Sequence, residues 1–280
     1  MFKSKAIILM LISLVLVLSA CGQKPAAETA ANGNSGQTGT QKETKLDQIK
    51  KAGKIVVGTS ADYPPYEFHK EINKKDEIVG FDIEIAKAIA KDLGVTLEIK
   101  DMKFDGLLAA LEAGNIDFII SGMTPTPERQ ASVDFTKIYY TAVQKAVVRT
   151  EDKEKYKTID DLKGKRVGAQ KGATQEQIVT KQMPQSEMKA LGKISDLMLD
   201  LKNKKTEALV VELPVATAYL SKNPDLTVSD IQLSTEDSGS AIAVKKGSPE
   251  LVEAMNKSLD KLINDKVIDK FVIEANDMVE

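Results

Sequence analysis

Residues 80–100 read GFDIEIAKAIAKDLGVTLEIK, and two periodicities in succession decide the fold. Ile85, Ile89 and Leu93 recur at helical spacing, Gly94 is placed to end the helix in a left-handed turn, and Leu97 and Ile99 then alternate as a strand. Asp82 stands where a side chain would cap the helix start. Upstream, residues 55–57 (IVV) form a short buried strand. Downstream, residues 104–113 form a second amphipathic helix stopped by Gly114, and residues 117–121 (DFIIS) a third strand. Strand–helix–strand–helix–strand predicts an α/β layer built on a parallel sheet covered on both faces.

The same order recurs further along. Strands are predicted at 166–169, 188–191 and 208–212, helices at 174–182, 194–202 and 213–222, and a last strand at 241–244 precedes two helices over 249–276. Two similar lobes follow, the first from residues 45–145 and 240–280, the second from 146–239. In open α/β sheets ligands bind beyond the C-terminal ends of the strands, so the segments after Gly58, Ile120, Ala169 and Val211 are where a site belongs.

Composition narrows the function. The 280 residues are 29% charged and 42% hydrophobic, as expected of a globular chain of about two domains. Lys and Arg total 39 against 41 Asp and Glu, which leaves none of the basic surplus that nucleic-acid binding needs. One cysteine excludes a disulfide framework, and one histidine beside it excludes a Cys/His metal cage. No metal or cofactor is expected.

The N-terminus reads as an address. Lys3 and Lys5 precede an apolar run of about 13 residues, too short for a membrane span of ~20 and suited to a signal peptide over residues 1–20. Leu18-Ser19-Ala20-Cys21 resembles the lipobox of bacterial lipoproteins, which implies a diacylglyceryl group on Cys21 as the mature N-terminus. Loss of Lys3 and Lys5 takes the basic total to 37 against 41 acids, net −4. Residues 22–44 contain no Leu, Ile, Val or aromatic residue and cannot offset their ordering entropy, so they form a flexible tether with a reach of roughly 25 Å. Anchor, tether and body imply a protein working on the extracytoplasmic face of the cell membrane.

At the strand ends the chemistry concentrates. GTSADYPPYEF (58–68) is a proline-stiffened loop in which Tyr66 and Phe68 read as core and Tyr63 as a ligand-stacking wall. SGMTPTPERQ (121–130) gathers Ser121, Thr124 and Arg129, whose planar fork matches a carboxylate. Thr174 opens a helix whose free N–H groups make an anion site, and Glu212 ends a buried strand where it meets a cation. A carboxylate clamp faces an ammonium acceptor: the two ends of an α-amino acid.

Those segments, together with GFDIEIAKAIAKDLG, DFTKIYY, LKGKRVGAQKGATQE and ALVVELPVA, resemble the polar amino-acid ABC-transporter substrate-binding proteins, bacterial extracellular solute-binding proteins of the type II periplasmic-binding-protein fold. The resemblance runs from about Leu46 to Asn276. It implies two Rossmann-like lobes joined by crossover strands and closing on a ligand in the cleft between them. It implies Arg129 on the ligand carboxylate with Thr124 and Thr174, Glu212 on the ammonium with Ser121 and the Gly122 carbonyl, and Tyr63 and Phe104 sandwiching the side chain. It implies a monomer, not an enzyme, that hands a free L-amino acid to a permease and its ATPase.

Three departures stand out. Glu212 replaces a more usual aspartate, Ser60 occupies a position where members preferring cationic ligands often carry an acid, and no tryptophan is present. Asp62, Glu67 and Glu84 are the acids left to serve a lysine or arginine side chain, and glutamine or another polar amino acid stays open. An enzyme on this fold, of the cyclic-acid dehydratase kind, needs an acid/base pair, and only Glu212 is in view.

Overall fold

The computed structural model describes residues 43–234 and 239–279. The expected signal peptide, Cys21 and nearly all of the tether fall outside them. The chain runs through α1 (Lys45–Ala52), β1 (Lys54–Thr59), β2 (Asp62–Tyr63), β3 (Glu67–Ile72), β4 (Lys75–Val79), α2 (Phe81–Leu93) and β5 (Thr96–Asp101). A 3-10 turn (Phe104–Gly106), α3 (Leu107–Glu112), β6 (Phe118–Ile119), α4 (Pro127–Ser132) and β7 (Val133–Thr141) complete the first passage. The second comprises β8 (Gln144–Arg149), β9 (Arg166–Gln170), α5 (Thr174–Gln182), β10 (Glu187–Leu191), α6 (Ile194–Lys202), β11 (Ala208–Glu212), α7 (Leu213–Ser221) and β12 (Leu226–Val228). The chain then returns through β13 (Gly239–Lys245), α8 (Pro249–Asn264) and α9 (Val267–Val279).

Two five-stranded sheets result, ordered β5-β1-β6-β13-β7 and β10-β9-β11-β8-β12. Each has three strands paired in parallel, as the strand–helix alternation predicts, then one reversed strand, β13 or β8, that pairs antiparallel on both sides, so that the edge strand beyond it again runs with the first three. The all-parallel expectation is therefore corrected. β13 enters the first sheet after the second is built, and β8 enters the second straight from the first, so both arrive from the opposite direction. Such is the two-lobed α/β architecture of the type II periplasmic-binding-protein fold.

The apolar stripe of α2 is buried through Ile83, Ile85, Ala86, Ile89 and Ala90, and Gly94 ends the helix at φ 72 with its N–H on the Ala90 and Lys91 carbonyls. Asp82 is not the cap. The helix starts from Gly80 at φ 128, where a Cβ would lie 2.1 Å from the Tyr66 carbonyl oxygen, so only glycine fits. Asp82 lies inside the first turn, fully buried. A small antiparallel sheet, β2-β3-β4, carries the loop of Tyr63, Tyr66 and Glu67 from β1 back to α2.

Candidate functional site

Arg129, Phe104 and Glu212 meet around a single small hollow between the lobes. It is lined by Tyr63, Phe104, Ser121, Gly122, Thr124 and Arg129 from the first lobe, and by Gln170, Ala173, Thr174, Gln175 and Glu212 from the second. All eight residues expected at a ligand are brought together. Gln170, Ala173 and Gln175 were not foreseen. Gln175 carried a usable signal, since it follows Thr174 at an expected anion-binding helix start; Ala173 offers the site only its backbone and carried none. In this closed arrangement about 10 Å3 is left, room for roughly one water, so an amino acid enters only if the lobes part or side chains move. Two roomier hollows, about 680 Å3 beside Phe135 and Pro249 and about 630 Å3 beside Phe68 and Tyr219, are surface grooves whose charged residues are not buried. Volume is the poorer guide here, and buried opposite charge the better one.

Arg129 is 7% exposed. The α4 turn that places it starts at Thr126, whose hydroxyl accepts the Arg129 backbone N–H, with Pro127 at the first helical position. Its fork spans the cleft: Nη1 donates to the Thr124 carbonyl at 2.7 Å in the first lobe, and Nη2 to the Gly172 carbonyl at 2.8 Å in the second. The guanidinium sits 5.4 Å over the Phe104 ring. Burial pulls its pKa down to about 10, and among the described residues no carboxylate pairs with it.

Glu212 ends β11 and begins α7, 4% exposed. Oε2 accepts the Tyr66 hydroxyl at 2.5 Å and Oε1 the Gln144 amide at 3.3 Å, while Gln175 donates to Gln144 at 3.0 Å. Burial pushes its carboxyl up to about 7; the bonds from Tyr66 and Gln144 oppose that, and the Asp82 charge adds to it. Tyr66 is core, as expected, yet its hydroxyl reaches across to hold Glu212. Thr174 is the first residue of α5, whose N-cap Ala173 offers no side-chain bond, so the helix start keeps its donors.

The acids considered for a cationic side chain are not where that role needs them. Glu67 lies behind Ser121, which donates to it at 2.5 Å. Asp62 accepts the Ser195 backbone and hydroxyl at the start of α6. Glu84 is ion-paired with Lys87. None lines the hollow. Tyr63 and Phe104 stand there as aromatic walls, and Glu212 is the only carboxylate among the lining residues.

Residues 55–274 match the family model of the bacterial extracellular solute-binding proteins, family 3. The arginine-binding extracellular protein ArtP of Bacillus subtilis (strain 168) is 40% identical over 222 residues, 78% of this chain and 84% of that protein. An amino acid ABC transporter substrate-binding protein, AbpA from Streptococcus pneumoniae Canada MDR_19A bound to L-arginine, superposes with a TM-score of 0.81 at 40% identity, covering 83% of this chain and 98% of that one. An ancestral arginine-binding protein bound to glutamine superposes with a TM-score of 0.72 at 41% identity, covering 78% and 96%.

Proposed function

We propose a function from one premise: the chain belongs to the bacterial extracellular solute-binding proteins, family 3. It is the extracytoplasmic binding component of an ABC importer for an L-amino acid, with arginine or lysine as its ligand. The observation that carries this reading is a buried guanidinium and a buried carboxylate lining one hollow from opposite lobes, neither ion-paired within the described protein. Burying lone charges costs several kcal/mol each, and a zwitterion laid between them matches both. The ligand carboxylate displaces the two carbonyls from the Arg129 fork and takes further bonds from Thr124 and the α5 start. The ammonium meets Glu212, Ser121 and Gly122.

The side chain then runs between Tyr63 and Phe104, whose faces favour a cation without requiring a facing acid. Asp62, Asp82 and Glu212 add negative potential around that half of the site, which favours a basic side chain further. Glutamine is the second reading. It is supported by Gln170 and Gln175, uncharged side chains at the hollow that match an amide, and by the ancestral relative bound to glutamine. Lipid on Cys21 tethers the loaded monomer beside the permease and its ATPase, and mass analysis of the N-terminal peptide from membrane extracts reads that lipid.

Calorimetry of the purified protein against the twenty amino acids tests the ligand. Arginine or lysine should bind at least tenfold more tightly than glutamine. Equal or tighter glutamine binding transfers the assignment, and turnover of any of them in place of stoichiometric retention sinks the transport reading.

A further inference from the structure

Two buried acids behind the site have no cation near them among the described residues. Glu67, at the start of β3, and Asp82, in the first turn of α2, are both fully buried and lie within hydrogen-bonding reach of each other. Their oxygens divide cleanly. Glu67 Oε1 accepts the Ser121 hydroxyl at 2.5 Å. Asp82 Oδ2 accepts the Gly122 N–H at 2.9 Å and the Tyr139 hydroxyl at 2.8 Å. Glu67 Oε2 and Asp82 Oδ1 are left with no donor at all. A buried acceptor without a donor is costly, and a single proton held between the two carboxyls supplies the donor they lack.

We propose that Glu67 and Asp82 are positioning residues that hold one proton between these two donorless oxygens and so set how Ser121 and Gly122 face an ammonium group. Ser121 Oγ spends its proton on Glu67 and accepts the Ser60 N–H at 3.1 Å, which leaves one lone pair to offer at the hollow. A hydroxyl free to turn would as readily present its proton, which repels an ammonium. The Asp82 bond pins the Ser121–Gly122 peptide, with Gly122 at φ 54, where a Cβ would lie 3.3 Å from the Tyr63 ring. Burial raises both carboxyls, and the charge of Asp82 raises Glu67 further, so Glu67 keeps the proton. The other titratable groups facing the pair are Asp62 and Tyr63 beyond β1, Tyr139 on β7 and, across the cleft, Glu212. All are acids, and none supplies a counter-charge that would replace the proton.

The inference rests on an amino acid being the ligand, so its test has one arm with ligand and one without. Glutamine at position 67 mimics the protonated acid, accepting from Ser121 and donating to Asp82, whereas alanine removes both bonds. With ligand, Glu67→Ala should weaken binding roughly tenfold or more, and Glu67→Gln should restore most of it. Without ligand, the native proton is bound more tightly than in the unfolded chain, so parental stability falls as pH rises above the ordinary carboxylate range. Glu67→Gln lacks that proton and should show a shallower fall in melting temperature. Folded Glu67→Gln binding as weakly as Glu67→Ala, or melting profiles that run parallel to the parent, overturns the proposal. Failure of the parent to bind any amino acid counts against the function, while the melting profiles still decide the proton.

Discussion

The two halves of the site are built differently. The first-lobe half is fixed from behind by its own lobe: Ser121 by Glu67 and Ser60, Gly122 by Asp82, Asp82 by Tyr139, all buried except the half-buried Gly122. The second-lobe half leans on its opposite number. Glu212 takes its shortest bond from Tyr66, with a longer one from Gln144 of its own sheet, and the Gly172 carbonyl before α5 is held by Arg129; Tyr66 and Arg129 both reach over from the first lobe. A half set by its own lobe keeps its geometry when the cleft opens; a half whose partners lie across the cleft acquires its geometry only on closure. The first lobe should therefore read the ligand in the open state, and the second should lock it.

The largest test of that asymmetry is Arg129. It belongs to the reading half, yet its fork also bridges to Gly172, so its loss removes both the carboxylate anchor and one closing bond. Arg129→Ala should cost more than a hundredfold in affinity. Arg129→Lys keeps charge but loses the paired donors and should cost about thirtyfold, about 2 kcal/mol. Calorimetry measures both, with melting of the unliganded variants as the check on folding. Parental affinity in a folded Arg129→Ala protein would place the carboxylate anchor elsewhere and dissolve the comparison.

The same asymmetry explains what the sequence made legible. Strand ends are visible because 55–57, 118–120 and 208–211 are apolar runs followed abruptly by polar residues, and this located Tyr63, then Ser121 and Arg129, then Glu212. The β3-β4 hairpin was hidden because His69 to Glu77 is polar, with no apolar alternation to mark a strand. β7 and β8 were missed because each pairs with strands distant in sequence. Asp82 misled because a capping aspartate and a buried anchor within the first turn look alike until Tyr139 and Gly122 are brought against it. Glu67 misled for the same reason: nothing local shows that its partner is Ser121.

A pH titration sharpens the comparison at intermediate size. Glu212, in the locking half, is raised to about 7 by burial, and an ammonium requires it ionised. Apparent affinity should therefore weaken about tenfold between pH 8 and pH 6, following the fraction of ionised Glu212. Stability of the unliganded protein moves the other way. A carboxyl with a raised native pKa favours the fold most below about pH 4.5, and that contribution disappears as pH rises through 7. Glu212→Gln should flatten the affinity slope over this range. An unchanged slope would assign the titration to another group, and the ammonium role of Glu212 with it.

The smallest effect belongs to a contact that crosses the cleft at its rim. Lys171, just after β9, pairs with Asp105 in the 3-10 turn before α3 at 3.0 Å, with side-chain exposures of 60% and 26%. Like the Tyr66–Glu212 bond it joins the lobes only when they are closed, so geometry alone would rank it with the lock. Solvation ranks it far lower. An exposed Lys–Asp pair gains little over its hydrated ions and is screened by salt, for about 0.5 kcal/mol at most. Lys171→Ala should then weaken ligand binding no more than about twofold near 0.15 M salt, through faster release with an unchanged association rate, and the difference should vanish in 1 M salt. The melting temperature without ligand should stay near the parent, as Lys171 supports no buried group. A tenfold loss that survives high salt would mean the lock is spread along the whole rim. The division between a buried pair that holds and a surface pair that merely touches would then fail.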